Sequence, residues 1–172
     1  MSSKPLKLLK LRFDYDPNGW LIGFELFGRR WALEKSTVSI GGQKYLGRWI
    51  AYVHGWTLRL HKFYRGDEDR ASHTHPWAFW TFPLTSYWET VHENGTPTVT
   101  RRVQAFRWHK REANFEHIVR GSTARVRTVG GRRIEFSSPK PFYTIVVTKP
   151  YAHSWGFWKP DGTYVPWRLW TN

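Results

Sequence analysis

Short runs of alternating apolar and polar residues, each cut off by a turn signal, recur along nearly the whole chain. Trp20 to Phe27 and Trp31 to Ile40 read as a hairpin joined through Gly28-Arg29-Arg30. Trp56 to Tyr64 alternates cleanly, with Trp56, Leu58, Leu60 and Lys62 on one face and Thr57, Arg59, His61 and Phe63 on the other. Further strand candidates are Trp77 to Leu84, Tyr87 to His92, Thr98 to Trp108, Ala124 to Val129, Arg132 to Phe136, Phe142 to Thr148, His153 to Trp158 and Tyr164 to Leu169. Glu93-Asn94-Gly95, Gly130-Gly131, Ser137-Ser138-Pro139 and Asp161-Gly162 punctuate them as loops. About ten strands at this spacing, with no long amphipathic helix, predict an all-β barrel or sandwich. One short helix is expected over Gln43 to Tyr52. The two runs ending at Leu84 and starting at Tyr87 predict a hairpin turning near Thr85-Ser86, which would set Glu89 opposite Phe82. Residues 1–42 read as a basic segment with a β-hairpin, beside a barrel formed by residues 43–172.

At 172 residues the chain is long enough for one domain. Its 12 Trp, 11 Phe and 8 Tyr exclude disorder and are most economically the walls of the barrel, the C-terminal Trp-rich block included. Charges interrupt every hydrophobic stretch, so no spanning helix and no membrane partner is expected. The basic start, MSSKPLKLLKLRF, has no continuous apolar core and is not read as a signal peptide, which leaves a reducing cytosolic compartment as the expectation. There is no cysteine, so disulfides, thiolate zinc sites and thiol nucleophiles are excluded. Any metal must be held by His, Asp or Glu.

Lys and Arg number 27 against 13 Asp and Glu, a net charge of +14, which invites a nucleic-acid partner. The arginines gather late in the chain, at Arg101-Arg102, Lys110-Arg111 and Arg120 onward. In ARVRTVGGRRIEF, Arg125 and Arg127 share a strand face, and Arg132 or Arg133 can join them across the Gly130-Gly131 turn as a phosphate-contacting finger. The competing reading is a solvated edge hairpin protected by its charges.

Among eight histidines, His73-Thr74-His75 is the informative pair. Two residues apart on an extended strand, both imidazoles project from one face and can meet one metal, with Fe, Zn, Ni, Mn or Cu all compatible. Upstream lies Asp67-Glu68-Asp69-Arg70, the most acidic stretch of a basic chain, and Pro76-Trp77 follows directly. Such surroundings suit a metal backed by polar groups that orient its ligands.

Tyr45 to Trp49 (YLGRW), Leu58 to Trp77 (LRLHKFYRGDEDRASHTHPW), Ser86 to Glu89 (SYWE), His117-Ile118-Val119 and Trp155 to Trp167 (WGFWKPDGTYVPW) together resemble a family of small cupin-like HxHPW proteins. These are encoded mainly by tailed bacteriophages, within the RmlC-like cupin superfamily. The resemblance spans residues 45–167. It implies a double-stranded β-helix barrel (a jelly roll) with a divalent metal (Fe, Zn, Ni or Mn) inside. His73 and His75 would supply the first two ligands and His117 the third. It further implies a homodimer, cupins commonly being dimeric, and a place in the host cytoplasm or the virion. The chain departs from the usual cupin motif, in which a Glu follows the second His by four or five residues, because Phe79 and Trp80 stand there. Glu89, Asp69, His61 and His153 are the remaining candidates for an additional ligand or a ligand-orienting role, with Glu89 set too far away by the expected hairpin to reach the metal.

Two functions of different class follow. One is a metal-dependent enzyme acting on a small molecule, nucleotide or modified base: dioxygenase-like with iron, isomerising or hydrolytic with zinc or nickel. The other is a non-enzymatic module bound to DNA, RNA or phage virion proteins. A 2-oxoglutarate oxygenase is disfavoured, since its His-x-Asp/Glu pair would need a carboxylate where His75 stands.

Overall fold

The computed structural model describes residues 9–26, 29–67, 71–127, 133–152, 154–159 and 161–169. An antiparallel meander comes first: β1 (Leu9–Asp16), β2 (Gly19–Leu26), β3 (Arg29–Ile40), β4 (Gln43–Val53) and β5 (Trp56–Phe63). Then follow β6 (Ser72–His73), β7 (Phe79–Pro83), β8 (Tyr87–Glu93), β9 (Thr96–Val103), β10 (His109–Arg111) and β11 (Glu116–Gly121). The hairpin β12 (Thr123–Arg127) and β13 (Arg133–Ser137) precedes β14 (Phe142–Thr148), β15 (Gly156–Trp158) and β16 (Tyr164–Pro166). A single 3-10 turn at Trp167–Leu169 is the helical content among the described residues, and no described helix is long and apolar enough to cross a membrane.

The strands form two large sheets. One runs β1-β2-β3-β4-β5-β14-β7-β10 and the other β16-β15-β6-β11-β8-β9. Within them, β5-β14-β7-β10 faces β6-β11-β8-β9. Strands β5 to β8 pass from the first sheet to the second, back, and over again. That alternation is the strand order of a jelly roll. Tyr45, Phe63 and Phe142 from the first sheet pack on Tyr87, Val103 and Val119 from the second, so the sheets close on each other around this cluster. The β1–β4 meander continues the first sheet without a break, and β12–β13 stands as a separate two-stranded sheet.

Two local expectations are corrected. Gln43 to Tyr52 is strand β4, not helix. Gly41 and Gly42 both adopt positive φ, 57° and 75°, which makes the two-residue turn that hands β3 to β4, and β3 and β5 then bond β4 from both sides. A bulge between Val38 and Ser39 leaves Tyr45 as the extra residue of β4, and this turns its ring into the core. The expected β7–β8 hairpin is also absent. After Pro83 the chain crosses to the other sheet, where Glu89 lies beside Val119 of β11 and Arg101 of β9 instead of Phe82.

The aromatics do not all serve as inner walls. Cross-strand register puts Ile22, Leu33, Ala51, Leu58, Val147 and Trp80 in one row on the outer side of the first sheet. Ile22, Phe24, Trp31, Leu33, Trp49, Trp56 and Leu58 are exposed there. In the C-terminal block Phe157 is buried while Tyr164 and Trp167 are exposed. The inner side of β5 is its polar face, Thr57, Arg59 and His61, followed by Phe63. Opposite hydroxyls satisfy one another across that interior: Thr57 with Thr148 at 2.7 Å and Thr81 with Thr144 at 2.6 Å.

Candidate metal centre

Strand β6 is only two residues long, yet it is held on both sides. His73 pairs with His117 of β11 and with Phe157 of β15. Beyond it the chain stays extended because the Thr74 N–H donates to the Gly156 carbonyl and the His75 N–H to the Ala113 carbonyl, both at 3.1 Å. The two histidines therefore keep the same-face geometry that their spacing requires, although regular strand ends at the first. His117 arrives from β11 directly alongside. The three ring centroids form a near-equilateral triangle with sides of 5.1, 5.2 and 5.1 Å. One nitrogen from each ring lies within 4.8 Å of the others. Nitrogens sharing one ion at ~2.1 Å stand about 3 to 3.5 Å apart, so the rings need only draw together slightly.

His75 carries the protonation state that ligation needs. Burial holds the His75 pKa well below its ordinary value, and the neighbouring His117 pushes it the same way. Neutral imidazole is the ligating form.

Two carboxylates stand behind the rings. Glu89, with no exposed surface, accepts from Arg101 Nε at 2.9 Å and Arg111 Nη2 at 2.8 Å, and its other oxygen meets His117 Nδ1 at 3.2 Å. Burial alone would raise its pKa. The hydrogen bond and charge of His117, with Arg111 and Arg101, outweigh that and hold it at about 2. Glu89 is thus a fully engaged carboxylate that fixes His117, leaving Nε2 as that ring's nitrogen for a ligand bond. Asp67, also without exposed surface, accepts from Tyr45 Oη at 3.3 Å and lies 3.9 Å from His73 Nδ1. A third acid, Glu116, accepts from Ser72 Oγ and from the Gly95 N–H, and so anchors β6 from below.

Of the other candidates, His61 lines the same cavity as the three histidines but is not among the clustered nitrogens. Asp69, His153 and Arg132 lie outside the described residues. The residue that sequence reasoning passed over is Asp67, two positions before Asp69 in the acidic loop. No residue type marked it in the sequence; its place is fixed by its own backbone N–H, which donates to the Val119 carbonyl at 2.8 Å. Arg101 and Arg111, grouped with the basic surface in the sequence, turn toward Glu89 instead. In the β12–β13 hairpin Arg125 is exposed opposite Glu135, and Arg127 pairs with Arg133 along the backbone.

The histidines open onto a cavity of about 290 Å³ lined also by Arg48, Arg59, Phe63 and Trp77. Strand order and site define the class: a jelly-roll barrel of the cupin type, carrying a three-histidine group that fits a divalent metal. No protein-family profile and no curated protein matches the chain. Among solved structures it is similar to hydroxypropylphosphonic acid epoxidase from S. wedmorenis, with 9% identity, TM-score 0.44, and coverage of 66% of this chain and 55% of that one. Ectoine synthase from P. lautus gives 9% identity and a TM-score of 0.38 over 66% of this chain and 68% of that one. The DMSP lyase DddQ from Ruegeria pomeroyi DSS-3 gives 12%, 0.42, and 90% against 63%. The chain spans little more than half of the epoxidase, at 55% of its length.

Proposed function

We propose that the barrel binds a divalent metal through His73, His75 and His117 and acts as a metal-dependent enzyme on a small molecule held in the adjoining cavity. The observation that carries this reading is the convergence of three ring nitrogens within 4.8 Å on the wall of that cavity. A metal with three protein ligands keeps positions open and supplies Lewis-acid polarisation, or redox chemistry if it is iron. The chain's own groups set the conditions. Glu89 holds the Nδ1 side of His117, Asp67 stands at the Nδ1 side of His73, and Arg101 and Arg111 keep Glu89 ionised. Phe79 and Trp77 wall the cavity beside the histidines. Phage origin, with its place in the host cytoplasm or the virion, rests on the sequence resemblance alone.

Elemental analysis of the purified protein tests the reading. About one equivalent of metal is expected in the wild type, with stoichiometric metal lost in His73→Ala and His117→Ala. Full occupancy in both variants sinks the assignment. A second reading, a nucleic-acid module, is favoured by the β12–β13 hairpin, which forms its own sheet and exposes Arg125. It requires DNA affinity that falls steeply with salt on a log–log plot, and flat or absent binding removes it.

A further inference from the structure

The cavity has an electrostatic character of its own, apart from the histidine triangle. Arg48 and Arg59 both line it, and no Asp or Glu does among the described residues. The acids nearest the triangle, Asp67 and Glu89, sit behind the rings and do not line the cavity. On the arginine side the one attracting carboxylate among the described residues is Glu34 of β3. It accepts from Tyr52 Oη at 2.6 Å and from Ser36 Oγ at 2.9 Å, and it reaches Arg48 only through Ser36, which receives Arg48 Nε at 3.1 Å.

Arg59 is buried, flanked in register by Ile50 and Val146, and has no ion-pair partner within 4.0 Å among the described residues. Among the described residues its only hydrogen bond runs from Nε to Thr57 Oγ1 at 2.8 Å, which leaves both terminal amino groups without an acceptor there. Its guanidinium lies over the Trp77 ring, 4.3 Å from the centroid, and this stacking fixes the direction of those amino groups. Beside it, His61 faces Arg48 across the β4–β5 ladder, and its buried Nε2 has no hydrogen-bond partner. Burial and the neighbouring Arg48 push Arg59 down to about 10, with Glu34 and Tyr52 opposing. Two guanidinium groups on a low-dielectric wall without a matching carboxylate are an expensive arrangement unless an anion completes it.

We propose that Arg59 and Arg48, with His61 beside them, form a subsite for the oxyanion of a small ligand, a carboxylate or a phosphoryl group, whose apolar part rests on Phe63 and Trp77. This deepens the metalloenzyme reading and rests on it for the reacting end of the ligand. The volume of about 290 Å³ is at the small end for ligand pockets, which fits a compact acid.

The test uses benzoate and inorganic phosphate as anionic probes and benzamide as the neutral counterpart, titrated by calorimetry into zinc-loaded and chelator-treated protein. Benzoate is expected to bind at least about tenfold more tightly than benzamide. Arg59→Gln and Arg48→Gln should each weaken benzoate by about tenfold or more, the ordinary loss for one charge-assisted partner, while metal content stays at the wild-type level. Arg125→Gln on the outer hairpin should change nothing. Thermal unfolding confirms that each variant is folded, and Arg48→Gln carries the test if Arg59→Gln is not. Equal binding of benzoate and benzamide, no probe binding in the millimolar range, or wild-type benzoate affinity in the folded arginine variants overturns the subsite. Arginine-dependent binding by a protein that takes up no metal would overturn the metal reading and leave the subsite standing.

Discussion

Glu89 remains ionised without any exposed surface because Arg101, Arg111 and His117 all point at it. Its replacement by Gln keeps the shape and removes the charge that orients His117. Metal affinity should then fall about 10- to 100-fold, the usual consequence of losing a group that holds a ligand in place, read by competition with a chromophoric chelator. Unchanged affinity would mean that His117 needs no such support. His61 gives a second prediction. It is pushed down to about 3, chiefly by burial and then by Arg59 and Arg48, whereas an unfolded histidine titrates near 6.5. Between those values the unfolded chain binds a proton that the folded chain excludes. Stability is therefore full above about pH 6.5 and falls as pH drops toward 3, with His75 acting in the same sense. Urea midpoints from pH 7 to 4.5 should fall more steeply for wild type than for His61→Phe, and equal slopes would remove His61 from the account. At this scale the His73 and His75 pair was legible in the sequence because its spacing is local, whereas His117, on a distant strand, was implied only by the family resemblance. Glu89 and Asp67 were harder. Their roles depend on which strands lie side by side, and no residue type announces that.

Among the elements, β5 shows what alternation can and cannot tell. Its two faces were readable from Trp56 to Phe63, but not which one looks inward, and ordinary expectation buries Leu58 and exposes Arg59. The structure does the reverse. The barrel's apolar packing is concentrated instead in the cluster around Phe142, whose ring stacks on Phe63 at 4.9 Å and on Tyr87 at 5.7 Å. Phe142→Ala should cost about 3–5 kcal/mol in urea unfolding, a large share of the ~5–15 kcal/mol that holds a typical domain. A loss below about 1 kcal/mol would show that the cluster collapses around the gap. The helix expected over Gln43 to Tyr52 failed for a related reason. Isolated, that stretch has no decisive period, and its strand character comes from ladders on both sides. The jelly-roll crossing after Pro83 was equally invisible, since a turn at Thr85-Ser86 serves a hairpin and a crossover alike.

For the whole molecule, the outer side of the first sheet is the feature without an internal partner among the described residues. Leu58 is 53% exposed and Leu33 55%, in a row of apolar residues that runs across several strands. Exposed apolar surfaces of this extent mark association sites. We expect a concentration-dependent homodimer by sedimentation, reduced to monomer by Leu58→Glu. A wild-type monomer at every concentration would exclude self-association through this face. The same inversion of inside and outside has a calorimetric consequence. Unfolding raises heat capacity through newly wetted apolar surface and lowers it through wetted polar surface, for a net of ~12–15 cal/mol/K per residue in ordinary domains. A chain that already shows Leu33, Leu58, Trp31, Trp49 and Trp56 to water, and keeps Thr57, Thr81, Thr144, Thr148 and Arg59 inside, has less apolar surface left to wet. Its monomer should therefore fall short of the roughly 2 to 2.6 kcal/mol/K that 172 residues would ordinarily give, and its stability should change unusually gently with temperature.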